Sequence, residues 1–152
     1  MTNIEEFMAY CDRRDLRVSR ADSGNRVSLA FHEEHVDCHV VVYIDEGAMI
    51  QSLTDCSVKV PAGARNEIAL ALHRANYGLR LGKFELDLRD GELRFHISIP
   101  FADELPADKV LDRIVYTGSA MMNRYLPAFL SIIYGNEIAE NAVALAEADL
   151  GR

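Results

Sequence analysis

The sequence predicts an α+β domain: an antiparallel sheet of five to six strands with helices packed on it, in the order α-β-β-β-β-α-β-β-α-α. Three observations carry this. Short alternating segments rich in β-branched residues follow one another between residues 16 and 54, separated by polar turns. A hairpin signal, Asp90-Gly91, lies between two alternating runs. Helical periodicity appears only before, between and after these stretches, which places helices beside an antiparallel sheet.

The elements follow in order. Residues 3–13 predict a helix with Ile4, Phe7, Met8 and Cys11 on one face. Leu16–Ser19 reads as a strand, and 21–25 (ADSGN) as a turn. Arg26–Phe31 and Val36–Ile44 are strands, and Asp45-Glu46-Gly47 turns the chain into Ala48–Thr54. Alternation puts Val27, Leu29 and Phe31 on the core face. With 32–35 as the loop, Phe31 pairs with Val36 and Leu29 with Cys38.

Residues 62–77 predict a helix with Pro61 fitting its first turn, Ile68, Leu72, Ala75 and Leu79 on one stripe, and Gly78 as its C-terminal cap. Asn76 is the one polar residue on that stripe, which suits a buried amide bonded to strand or loop backbone. A two-residue turn at Asp90-Gly91 pairs Leu88 with Leu93, Leu86 with Phe95 and Phe84 with Ile97. Arg89, Asp87 and Glu85 then oppose Glu92, Arg94 and His96, each pair worth roughly 0.2–1 kcal/mol.

Residues 107–134 predict a long helix with two adjacent apolar stripes. Val110, Ile114, Gly118, Met121, Tyr125, Phe129 and Ile132 form one; Leu111, Val115, Met122, Leu126 and Ile133 form the other. Two stripes call for cover from two sides. Pro127 is expected to kink or break this helix, Gly135 to end it, and Asn136 to cap a last helix. The tail, 147–152, is expected to fray. The whole chain, 1–152, reads as a single domain.

Charge and composition narrow the function. The chain has 152 residues, 49% hydrophobic, and a net charge of −8. The basic residues Arg13, Arg14, Arg17, Arg20 and Arg26 are interrupted by Asp12, Asp15 and Asp22, so no cationic surface for nucleic acid or anionic membranes is expected. No apolar run approaches the ~20 residues of a membrane span. Three unpaired cysteines, Cys11, Cys38 and Cys56, and no secretory signal point to the cytoplasm.

The stretch 31–40, FHEEHVDCHV, has the composition of a metal site. On a strand, however, His35 and His39 stand about 13 Å apart at ~3.3 Å per residue. A zinc ion holds nitrogen ligands at about 2.0–2.1 Å, so it cannot collect both. His32 and His35, facing each other across the loop, remain as the only weak metal candidates. No nucleophile elbow, phosphate loop or paired carboxylates occur, and Gly118 within Thr117-Gly118-Ser119 suits close helix packing. No catalytic residue, cofactor or metal is therefore expected.

One further pattern spans the second half. It runs from Pro61 through Arg74-Ala75-Asn76-Tyr77, Leu81-Gly82-Lys83-Phe84-Glu85-Leu86-Asp87 and Asp90-Gly91-Glu92-Leu93-Arg94-Phe95 to Pro100-Phe101. After the long helix it continues with Arg124-Tyr125-Leu126-Pro127-Ala128-Phe129 and Ile133-Tyr134-Gly135. This resembles the YbjN family of bacterial sensory transduction regulators, most clearly over residues 60–145. The resemblance implies a fold like that of type III secretion chaperones, which are small acidic cytoplasmic dimers. It also implies a non-enzymatic protein that binds other proteins.

The leading expectation is a cytoplasmic interaction module, a homodimer whose sheet edge and long helix bind an unidentified protein segment, with Met121, Met122, Tyr125 and Leu126 as the interface. The alternative is a small-molecule- or metal-responsive domain, or a cryptic enzyme, on the outer sheet face around His32, His35, His39 and His96.

Overall fold

The computed structural model describes residues 1–21 and 24–148. The element order is α1 (Asn3–Arg13), β1 (Ser19–Arg20), β2 (Arg26–His32), β3 (Asp37–Asp45), β4 (Met49–Lys59), α2 (Arg65–Gly78), β5 (Lys83–Leu86), β6 (Glu92–Pro100), α3 (Asp108–Gly135) and α4 (Ala139–Glu147). This is the predicted α+β order. The six strands form one antiparallel sheet in the order β1-β2-β3-β4-β6-β5.

Alternation decides which face is covered. Val27 and Leu29, Cys38 to Ile44 at every second position, Ile50, Ser52, Thr54, Leu93, Phe95, Ile97 and Phe84 are all buried. They are opposite one another in register, so they form one face. The helices cover that face, α3 crossing β3, β4 and β6, and α2 lying beside β5. Along α3, Gly118 lets the helix settle onto β4: a Cβ at that position would overlap Thr54 Oγ1 and Cβ. Phe84 sits at the centre of an aromatic cluster with Phe95, Tyr125 and Phe129, at centroid distances of 4.9, 5.4 and 5.2 Å.

Helix α1 is tied down at both ends. Thr2 and Glu5 form a capping box at its start. Asn3 donates to the Asp103 carbonyl, accepts the Gly47 N–H at 2.8 Å, and its own N–H goes to Glu46. At the other end Arg13 grips Asp108 and Arg14 grips Asp112, each through two nitrogens. Tyr10, fully buried, adds its hydroxyl to Asp112 at 2.7 Å. Two of the five arginines in the N-terminal run are thus committed to holding α1 on α3.

Several expectations change. The first strand is only Ser19–Arg20, not Leu16–Ser19, and Leu16 instead closes α1 by donating to the Cys11 carbonyl. The turn foreseen at 21–25 includes residues 22 and 23, which lie outside the described residues, as does the tail 149–152. In the β2–β3 hairpin Phe31 pairs with Cys38 and Leu29 with Val40, two residues from the expected register. His32 is therefore the last residue of β2, and the turn is 33–36, closed by Glu33 N–H to the Val36 carbonyl at 2.8 Å.

The β5–β6 hairpin is displaced by the same two residues. Phe84 faces Phe95, Leu86 faces Leu93 and Glu85 faces Arg94. Asp87 and Glu92 close a longer loop, and Leu88, left outside the ladder, is 62% exposed. Pro61 precedes a short 3-10 turn, 62–64, that leads into α2, and Gly78 lies inside α2 with Leu79 as its cap. Pro127 neither breaks nor ends α3, which continues as helix to Gly135. The pyrrolidine removes one donor, and flanking packing on Leu126, Ala128 and Phe129 holds the remaining turns. Asn136 takes the left-handed conformation (φ 55°) as the C-terminal cap of α3, while Ile138 precedes α4.

Candidate functional site

Among the described residues no helix lies on the second face of the sheet, and its side chains are half-buried or exposed rather than buried. Register arranges it in three rows. The first runs Arg26–Tyr43–Gln51–Ser98, the second Ser28–Val41–Leu53–His96–Lys83, and the third Ala30–His39–Asp55–Arg94–Glu85. Val41, Tyr43 and Leu53 adjoin one another at the centre and make an apolar patch with a polar rim. Within these rows Arg26, Lys83 and Arg94 stand against Asp55 and Glu85, and at the flanking positions of the same parity Lys59 stands against Asp37, Asp45 and Glu92. In a chain of net charge −8, this face is close to neutral.

The rim is internally bonded. Glu85 Oε1 accepts from Arg94 Nε at 2.8 Å and lies 3.0 Å from His96 Nδ1, and Lys83 Nζ sits 3.4 Å from Glu85 Oε2. Burial pushes the Glu85 carboxyl upward, but the Arg94 hydrogen bond and charge, with His96 beside it, hold it below its ordinary value of 4.5. His96 Nε2 meets the Ser98 hydroxyl at 2.6 Å, and Gln51 also donates to Ser98.

Ser98, His96 and Glu85 thus share the bonding order of a catalytic triad. Their surroundings do not suit that role. The carboxylate oxygen that would orient the imidazole is shared with Arg94. The hollow beside Ser98, about 300 Å³, opens to water at Leu81, Gly82 and Lys83, whereas oxyanion stabilisation relies on a water-excluded site. The arrangement locks polar side chains flat against the sheet.

The other three histidines, those of the 31–40 stretch, are dispersed, each beside its own carboxylate, and His73 lies apart on α2. His32 Nδ1 pairs with Asp37 at 2.8 Å, His35 stands 3.9 Å from Glu34, and His39 Nδ1 stands 3.7 Å from Asp55. Among the described residues no three His, Cys, Asp or Glu side chains converge on a metal position. His32 and His35 do not face each other across a loop as expected, because His32 belongs to the strand and its partner there is Asp37.

The four residues expected to form an interface lie elsewhere than expected. Met122 and Tyr125 are fully buried and Leu126 is 4% exposed, so these three pack inside the chain; Met121 is half-buried. Their cover comes from the sheet on one side and α2 and α4 on the other, which accounts for the two stripes. Tyr125 completes its bonding through Glu147 of α4 at 2.6 Å.

Asn76 bonds both polar groups of one edge-strand residue. Its Nδ2 donates to the Phe84 carbonyl at 2.9 Å, and its Oδ1 accepts the Phe84 N–H at 2.8 Å. The amide replaces a neighbouring strand at this point of the edge. The sheet edge foreseen as a docking strand is closed there.

The apolar patch of the open face was the feature sequence reasoning passed over. Its signal was present: Val41 and Tyr43, outward on β3, are large apolar residues where a solvated face would carry polar ones.

Geometry thus defines a two-layer α+β domain with one uncovered sheet face. The chain belongs to the YbjN family: that family's model, described as "putative bacterial sensory transduction regulator", matches residues 3–131. The match takes in α1, both hairpins and most of α3, so it reaches well beyond the second-half pattern read in the sequence. No curated protein matches the chain.

Proposed function

We propose that this chain is a non-enzymatic regulatory module of the bacterial cytoplasm that works as a homodimer, joined through the open sheet face. The observation carrying this reading is the Val41, Tyr43 and Leu53 patch, apolar and left uncovered by every described helix. A two-fold interface sets one patch against a copy of itself, so a near-neutral face on an otherwise acidic chain avoids the repulsion that a second copy would otherwise meet. Three features support a non-enzymatic role: family membership in a regulator family, the flat polar rim, and histidines held singly by carboxylates. A reducing compartment suits the three free thiols, of which Cys11 and Cys38 are pushed up by burial to about 12 and are thereby inert. Among the described residues no helix is long and apolar enough to cross a membrane.

The test is the molar mass by light scattering of the wild type and Leu53→Asp. The wild type should have twice the 17.0 kDa chain mass. Leu53→Asp, which alters a half-buried position and no core contact, should fall to the chain mass with an unchanged far-UV spectrum. A monomeric wild type, or a variant of unchanged mass, would overturn the placement.

A further inference from the structure

A groove of about 620 Å³ lies on the helix side of the molecule, between the 33–36 turn, α3 and α4. That is the size range of sites that enclose a small ligand or a few side chains. Ala120, Ala128, Ala142 and Ala146 line it with methyl groups, and Leu145, 78% exposed, stands at its rim. Asn123 ties the turn to α3 by accepting the His35 N–H at 2.7 Å, which fixes the width of the groove.

Its polar groups are incomplete in a specific way. Arg124 lines the groove, and its Nη1 is buried without a hydrogen-bond partner. One residue earlier, the Asn123 carbonyl has lost its helical donor because Pro127 has no N–H. Asn123, Arg124 and Pro127 all line this one groove, so an unpartnered guanidinium nitrogen and a helix turn that lacks one N–H donor contribute to the same space. Three carboxylates, Glu33, Glu34 and Glu137, line the same space. Glu33 uses Oε1 for the Ser119 hydroxyl and Glu137 uses Oε1 for the Ile138 N–H, which leaves Oε2 of each for a cation.

We propose that this groove binds a basic peptide segment of another protein. An apolar side chain of the segment rests on the alanine floor. A carbonyl of its backbone meets the Arg124 guanidinium, and its lysines or arginines face Glu33, Glu34 and Glu137. Charge complementarity selects this occupant: an acidic ligand would meet three carboxylates for one guanidinium. The site is separate from the open sheet face and does not depend on dimer formation.

The experiment is fluorescence polarisation of a labelled amphipathic leucine–lysine peptide, with a leucine–glutamate analogue as control. The lysine peptide should bind and the glutamate peptide should not. Glu34→Lys and Ala120→Arg, both at exposed positions, should each weaken binding by roughly tenfold or more. Asp12→Lys, an equal charge change on α1, should change it less than about twofold, and Leu53→Asp should leave it intact whatever it does to the mass. Equal losses in Asp12→Lys and Glu34→Lys would show mere attraction to an acidic chain and overturn the site. Equal binding of both peptides would do the same. A mass change in Glu34→Lys without peptide binding would make a second copy the occupant, which also overturns the proposal.

Discussion

The two faces of the sheet are made from the same strands and differ in what sits on them. On β6, Leu93, Phe95 and Ile97 point into the helix layer and are at most 1% exposed, while Arg94 and His96 between them point outward and remain half-buried, and Ser98 is exposed. On β4 the difference is subtler. Its inward residues include the buried hydroxyls Ser52 and Thr54, which have no partner among the described residues, and its outward residues include Leu53. The inner face thus gives up polar satisfaction at the crossing with α3 in return for close approach at Gly118. The outer face keeps an apolar centre where water alone would favour polar residues. Apolarity therefore does not by itself identify the covered face; complete, register-matched burial does.

The largest expected effect lies on the inner face. Phe95→Ala removes a ring packed edge-on to Phe84 and should cost about 3–5 kcal/mol in denaturant unfolding. A loss below about 1 kcal/mol would mean that the two faces do not differ as described. Gly118→Ala comes next, at about 1–3 kcal/mol, because its methyl overlaps Thr54. Combining it with Thr54→Ala should recover part of that loss, and a fully additive double mutant would remove the close approach from the explanation.

Asn76→Asp keeps the shape but loses the donor to the Phe84 carbonyl. A loss of about 1–3 kcal/mol is expected in thermal unfolding, together with association through the newly opened β5 edge.

Acid should separate the faces. Glu85 titrates below 4.5 in the folded chain, so its contribution is complete above that value and is lost as the pH falls through the lowered one. The stability difference between wild type and Glu85→Gln, measured at neutral pH, should therefore vanish in acid. The smallest effect is His39→Ala: its imidazole, half exposed beside Asp55, should matter by no more than about 0.5 kcal/mol.

The parity of the strands in the two hairpins was legible in the sequence, and their register was not. Both hairpins shift by two residues, which preserves inside and outside because the side-chain period is two. Asp90-Gly91 has the residues of a two-residue turn. In the fold, Asp87 instead accepts the Gly91 N–H and Asp90 the Glu92 N–H, which lengthens the loop. Gly91 (φ 83°) sits against the Val60 backbone, where its carbonyl accepts the Val60 N–H at 2.8 Å. That contact is tertiary and leaves no local trace. The long helix shows the same limit. Its two stripes were readable as a demand for cover from two sides, but only the placement of α4 shows that the chain itself supplies the second cover over Met122 and Leu126. The open-face patch was hidden by the hairpin's charge alternation, which suggested a wholly solvated face.

Whether the open face is covered in solution can be read from its methyl groups. With methyl-labelled protein and a soluble gadolinium chelate, paramagnetic relaxation of Val41 and Leu53 should be weak at dimer concentrations and rise on dilution, while Leu145 relaxes strongly throughout. Val41 and Leu53 relaxing as strongly as Leu145 at every concentration would contradict a dimer built on this face.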